Sequence, residues 1–443
     1  MGRLSLALLR VLGRSGTTVP GRVAMAFDPA FVQHQAKRIG GPVVIVSATN
    51  GKTTTAGLIR SAMEASWSVI GNSAGANMAG GVASALVTVD GGDQTAGLFE
   101  VDEFWLGDVG PDLMPDVVLL LNLFRDQLDR YGELDTIVER WHAAVAELSS
   151  QGCRFVACAD DPGIAWVLRD VDPALVTWFG CVDETVDIGH LPHAADSDAC
   201  RRCGATLHYK SVSLGHLGDW SCPECKLERP RLDVRLTRFE PQGARTSTVT
   251  IADSDGDVSF GISLPGLYNA YNATGAWAVS AALKCERSET SAAFSATSAA
   301  FGRGEQFSVN GHSAQMLLVK NPTGANEVVR ALCAEAGPLT IQFILNDRIA
   351  DGRDVSWIWD TDLEHLVPKL GRVVCSGTRA DEAALRFKYA GVDPERITVV
   401  PDSWEGLLDA SSEADDVWIL PTYTAMLGLR SQLSSEGLVE KVV

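Results

Sequence analysis

Short apolar runs alternate along the chain with longer stretches in which apolar residues recur every three or four positions. The runs Pro42–Val46, Val69–Ile70, Thr95–Val101, Asp116–Leu121, Phe155–Cys158 and Val176–Phe179 are almost continuously apolar, as strands buried on both faces are. Helical patterns lie between them at 56–65, 80–87 and 134–148. This alternation predicts an α/β fold with a doubly wound, mainly parallel sheet that the strand at 176–179 closes. The segments 232–236, 247–251 and 258–262 instead alternate apolar with polar residues, which predicts an antiparallel meander, and a long small-residue helix opens within 264–273. The strand and helix pattern restarts at Gln315, with strands at 315–319, 340–345, 372–375 and 417–420 and a helix ending near Ala336. A second, smaller α/β domain follows from this. Gly302-Arg-Gly-Glu305 is the natural hinge, so residues 1–303 form the first domain and 304–443 the second.

The first apolar run leads through Ser47-Ala-Thr-Asn-Gly-Lys-Thr-Thr-Thr55 into a helix. A buried strand that turns through glycine into a helix aims unpaired backbone N–H groups and the positive end of the helix dipole at one spot, which suits a phosphate. Lys52 would reach the β- and γ-phosphates as an exposed phosphate-binding lysine, and the Thr53 hydroxyl would sit beside them as a Mg²⁺ ligand. Ser47 stands where the usual P-loop has its first glycine, and a plain Gly-Lys turn in a βα unit is the competing reading. The strand at 95–101 runs out into Glu100, Asp102 and Glu103. Ligands sit at the carboxyl edge of open α/β sheets, so one of these carboxylates is a candidate Mg²⁺ partner; the alternative is a solvated acidic turn.

Composition narrows the function. With 443 residues, 46% hydrophobic and 21% charged, the chain has the composition of a globular protein of two or three domains. A formal net charge of −19 and the lack of a basic stripe argue against nucleic-acid binding. Arg3, Arg10, Arg14 and Arg22 surround Leu4–Leu9, which is too short for a spanning helix or a signal peptide; a first helix packed on the body, with at most peripheral contact with anionic lipid, is the expectation. Ten cysteines without an export signal point to a reducing compartment. Four of them form two Cys-x-x-Cys knuckles, Cys200/Cys203 and Cys222/Cys225, in a stretch of shifted composition at about 196–230. This spacing places four thiolates around a closed, structural Zn²⁺ site in an inserted ribbon; two disulfides or an iron site are the alternatives.

The loop Thr49-Asn-Gly-Lys-Thr-Thr54 resembles that of the Mur ligase and folylpolyglutamate synthetase group of ATP-dependent amide-forming enzymes. Asn122-Leu-Phe-Arg-Asp-Gln-Leu-Asp-Arg130 is similar to a second family motif, with Gln127 replacing a His that helps hold a second Mg²⁺. Tyr268-Asn-Ala-Tyr-Asn272, Gly302-Arg-Gly-Glu305 and Asn321-Pro322 resemble three more family segments. The resemblance implies ATP held by Asn50, Gly51, Lys52, Thr53, Thr54, Asn269, Asn272 and Arg303, with Mg²⁺ on Thr53 and Glu100, and with Lys52 and Glu100 serving catalysis. The cysteine ribbon and the stretches Asn346–Asp360 and Pro421–Leu427 are similar to the MurT-type synthetase subunits of lipid II isoglutaminyl synthase.

That likeness implies amidation of the D-isoglutamyl α-carboxylate of lipid II through an acyl phosphate, in peptidoglycan synthesis at the inner face of the cytoplasmic membrane. Only residues 1–41 precede the first strand, where ordinary Mur ligases carry a domain for a UDP-sugar, which favours a lipid-linked acceptor. None of Cys153, Cys158, Cys181, Cys285, Cys333 and Cys375 lies in a recognisable nucleophile turn, so ammonia would come from a GatD-type glutamine amidotransferase partner in a heterodimer. In that arrangement this chain supplies the acidic residue of the partner's Cys-His pair. Asp351, Asp354 and Asp360 are the candidates and Asp354 the choice, with Trp357 and Trp359 expected to be buried or at an interface. An amino-acid-adding Mur or folylpolyglutamate-type ligase and a non-catalytic ATP-binding zinc module remain the other readings.

Overall fold

The structure is a computed structural model that describes residues 18–72, 75–125, 134–192, 195–297, 303–412 and 414–440. The basic segment 1–17 and the motif residues 126–130, Gln127 included, lie outside them. The first sheet is built from β1 (Val43–Ser47), β2 (Ser68–Ile70), β3 (Thr95–Val101), β4 (Val117–Leu120), β5 (Arg154–Cys158) and β6 (Val176–Cys181). The chain then leaves this sheet to make a separate hairpin, β7 (His208–Leu214) and β8 (Leu217–Ser221). It returns as β9 (Val234–Gln242), β10 (Thr246–Asp253) and β11 (Gly256–Ile262).

Nine strands stand in the order β11-β10-β9-β6-β5-β4-β1-β3-β2. β2 to β6 and β1 pair in parallel and β9 continues parallel to β6, while β10 and β11 fold back antiparallel. The strand at 176–181 therefore does not close the sheet, as its pattern suggests. After the cysteine insertion the chain re-enters beside β6, where Val234 and Leu236 reach the core on one face. β1 is buried along its whole length, since helices cover both faces of a parallel sheet, and Val44, Ile45 and Val46 have no exposed surface.

β12 (Arg303–Val309) and β13 (His312–Leu317) form a hairpin that opens the second sheet, joined by β14 (Leu339–Ile344), β15 (Leu370–Ser376), β16 (Ile397–Val399) and β17 (Asp416–Pro421). Its order is β12-β13-β17-β14-β15-β16, parallel except for the hairpin. Two apolar cores lie on this sheet, around Phe343 and Phe387 and around Met316 and Leu429. In both sheets the first βα connection leaves from a central strand, so the carboxyl edges of β1 and of β13, β14 and β17 are where a crevice opens. No helix among the described residues is long and apolar enough to cross a membrane.

Candidate active site between the two sheets

The two crevices meet in one cavity of about 330 Å³. Its floor is the turn after β1. Gly51 has φ +87°, and a Cβ there would lie 2.2 Å from the Asn272 side-chain oxygen, so only glycine fits. The helix Lys52–Met63 starts immediately after it, four residues earlier than the apolar pattern suggests, and its first turn contains no acidic residue. Its first-turn N–H groups and dipole face the cavity, which Asn50, Gly51, Lys52, Thr53 and Thr54 all line.

Thr53 and Glu100 come together: the Thr53 hydroxyl donates to Glu100 Oε2 at 2.8 Å. Asn72 fixes this end of β3 by accepting from the Glu100 backbone N–H and donating to its carbonyl. A hydroxyl and a carboxylate side by side at a phosphate loop are the hard oxygen donors that Mg²⁺ takes with nucleotide phosphates, so these residues fit the ion. Lys52 is buried, not exposed. Its ammonium lies 2.9 Å from Glu103 and donates to the carbonyls of Ala48 and Thr49. Burial alone would push the Glu103 carboxyl up, but Lys52 and then Lys320 outweigh it and hold it below its ordinary range. Asp102 also lines the cavity and receives the Phe104 backbone N–H.

Asn272 lines the cavity, whereas Asn269 stands behind it: Asn272 donates to Asn269 Oδ1 at 3.0 Å, and Asn269 donates to the Pro265 carbonyl. Arg303 opens β12, and its side chain lies outside the described residues. Sequence reasoning missed how directly the C-terminal domain reaches the phosphate loop. Lys320 donates to the Thr49 carbonyl at 3.0 Å, and Asn321 exchanges side-chain bonds with Asn50 while capping the helix Pro322–Cys333. Tyr423 approaches Gly75 from the same side. The Asn321-Pro322 motif was the one signal for this contact.

The four cysteines converge as their spacing predicts. Their sulfurs lie within 4.8 Å of one another, with Cys200 to Cys225 and Cys203 to Cys222 both at 3.5 Å. Four sulfurs at ~2.3 Å from one Zn²⁺ would be roughly 3.8 Å apart, so the donor set fits the metal, and the gaps far exceed a disulfide of about 2.05 Å. The insertion is bolted to the first sheet. Arg229 pairs with buried Asp160, which also receives the Tyr271 hydroxyl; Trp220 donates to the Ala159 carbonyl; and Asp196 pairs with Arg125. The β7–β8 turn carries buried His216, 3.4 Å from Asp161 and 4.8 Å from the Phe124 ring. Leu214 and Leu217, on either side of that turn, form part of the cavity wall.

The three candidate carboxylates of the C-terminal domain differ sharply. Asp351 is buried and accepts the backbone N–H of Thr424 at 2.7 Å together with its hydroxyl. Asp354 and Asp360 are exposed. Asp354 accepts the Ser356 N–H at 2.8 Å, and that N–H holds its carboxyl below the ordinary range. Trp357 packs half-buried on the second sheet, but Trp359 is 48% exposed and meets exposed Tyr389 edge-on, their centroids 5.8 Å apart.

Residues 46–188 match the Mur ligase middle domain, and residues 318–426 match the MurT ligase C-terminal domain. Over 99% of this chain and 97% of the relative, the sequence is 32% identical to the MurT subunit of the glutamine-hydrolysing lipid II isoglutaminyl synthase of Streptococcus pneumoniae. The chain belongs to the MurT family. The MurT subunit of Staphylococcus aureus is 28% identical over 98% of the chain and 96% of its own length. Among solved structures, the MurT fold matches a pseudomurein peptide ligase type C from Methanothermus fervidus with a TM-score of 0.67 at 20% identity, over 90% of this chain and 79% of that one. It also matches folylpolyglutamate synthase from Mycobacterium tuberculosis with a TM-score of 0.60 at 15% identity, over 98% and 99%. As a MurT-family chain of Mur ligase fold, it is an ATP-dependent ligase.

Proposed function

We propose that this chain is the synthetase subunit that amidates the D-isoglutamyl α-carboxylate of lipid II, with ammonia from a GatD-type glutaminase partner. The full-length likeness to MurT subunits carries the reading. Residues 1–303 would form the ATP-binding domain and 304–443 the C-terminal one. The acceptor carboxylate attacks the γ-phosphorus of ATP, the bond to the bridging oxygen breaks, and ADP leaves. The ammonia lone pair then attacks the acyl phosphate carbon, phosphate departs with the C–O electron pair, and a proton is lost. Lys52, Asn50 to Thr54 and Asn272 hold the phosphates and nucleoside, with Arg303 and Asn269 in support; Mg²⁺ on Thr53 and Glu100 would neutralise charge on the transferring group.

The cavity supports an in-line transfer because acidic and cationic groups surround the phosphate loop while the C-terminal domain covers it. Ammonia from outside fits the state of the thiols. Burial pushes Cys153, Cys181 and Cys375 up to about 12, raises Cys158, Cys285 and Cys333 as well, and leaves none of the six poised as a thiolate nucleophile. The partner would dock on the face carrying Asp354, Trp359 and Tyr389, at the inner side of the cytoplasmic membrane.

The test is ATP turnover by the purified chain with a muropeptide acceptor. Ammonium should stimulate it and yield an amide. Stimulation by an amino acid would instead indicate an amino-acid-adding ligase, and binding without turnover a regulatory module.

Zn²⁺ held by Cys200, Cys203, Cys222 and Cys225 would serve structure, since four thiolates leave no open position. Elemental analysis should find one zinc per chain, and Cys222→Ser should lose it and lower the melting temperature. A metal-free native protein with the cysteines oxidised in pairs would refute the assignment.

A further inference from the structure

Besides Glu100, Asp102 and Glu103, the cavity carries one further carboxyl among the described residues. Phe124, Leu214, Leu217 and Val328 line the cavity, and Glu327 projects from the helix Pro322–Cys333. Glu327 is only 7% exposed, and its Oε2 has no hydrogen-bond partner among the described residues. A buried carboxyl left this way costs free energy unless a ligand completes it. Among the described residues, the cation that acts on it is engaged elsewhere: Arg330 lies 3.9 Å from Oε1 and donates to the carbonyls of Ser213 at 2.9 Å and Val186 at 2.8 Å. Burial pushes the Glu327 carboxyl up to about 7 against the pull of Arg330, so near neutrality it is present both as acceptor and as donor. A flat heteroaromatic ring with a polar edge suits such a slot. Apolar side chains take its faces, and a single carboxyl takes an exocyclic N–H.

We propose that Glu327 is a specificity residue for the nucleotide, reading the 6-amino group of the adenine base in a pocket whose outer wall is the Leu214–Leu217 tip of the cysteine hairpin. The hairpin tip is held for this role. A Cβ on Gly215 would lie 2.9 Å from the Phe124 ring and 3.2 Å from the Thr323 methyl group, so the turn is wedged between the two domains. The inference rests on ATP as the nucleotide and not on the identity of the acceptor.

The experiment is calorimetric binding to the full chain with no acceptor present, using ATP, purine riboside triphosphate, which has hydrogen in place of the 6-amino group, and inorganic triphosphate. The native chain should prefer ATP over the purine analogue by about tenfold, the worth of one buried hydrogen bond. Glu327→Ala should erase that preference and leave inorganic triphosphate binding unchanged. Glu327→Gln, which keeps an acceptor oxygen and the side-chain volume, should retain part of it. An unchanged preference in Glu327→Ala would overturn the proposal, and so would an equal loss for all three ligands, which would mark Glu327 as a structural contact. Binding of triphosphate without preference for any nucleotide by the native chain would sink base reading while leaving the phosphate loop intact.

Discussion

Asp354→Asn, assayed with the glutaminase partner bound, is expected to lose glutamine-driven amidation by up to about 10⁴-fold and to keep amidation driven by free ammonium. That factor is what orienting a catalytic histidine and stabilising its charged form is worth in related triads. The three candidate carboxylates make different predictions because the fold treats them differently. Asp351 is spent on Thr424 next to Ala350, which lines the cavity, so its loss should harm both activities together by loosening the cavity wall. Asp354 is exposed at the start of the turn Ser356–Asp360, and the Ser356 N–H that holds it ionised also fixes its direction. Asp360, exposed at the far end of the same turn, should tolerate substitution by Asn with glutamine use intact. Equal loss of both activities in Asp354→Asn, or no loss of glutamine use, would remove Asp354 from the role.

The parallel core was legible because its strands are apolar on both faces, and β3 runs over the very residues its pattern marks, Thr95–Val101. The hairpin β7–β8 and the strand β12 were not. Their alternation is diluted by polar residues such as Lys210, Ser211, Gln306 and Ser308, and they are half-exposed or paired at an edge. The phosphate loop and the four cysteines could be read from spacing, since each needs only local sequence, whereas Glu100 was singled out from the three carboxylates at the end of β3 by the family resemblance alone. Lys320, Glu327 and Leu214 could not, because their relation to the phosphate loop arises only when three separate segments meet in space. Trp359 was legible as a residue requiring cover, and the structure leaves it half-exposed in the turn that follows Asp354.

Lys52→Ala should lower the rate at saturating ATP by about 10²-fold or more, because on the proposed reading it removes the cation that meets the transferring phosphate. Read from the sequence, this lysine is an exposed phosphate ligand needed for catalysis more than for folding. The structure changes that expectation. With its ammonium 2.9 Å from buried Glu103, Lys52 is also half of a buried ion pair, and breaking such a pair from one side costs about 3–5 kcal/mol. Lys320, which also lowers Glu103, should offset part of that loss. Lys52→Ala is therefore expected to show both a slower reaction and a lower melting temperature. Adding Glu103→Gln, which removes the buried carboxylate left without Lys52, should restore part of the melting temperature and leave the rate low. Thermal denaturation and ATP turnover on the single and double variants separate the two roles. Recovery of the rate along with stability in the double variant would show that Lys52 acts on the fold and not on the phosphate.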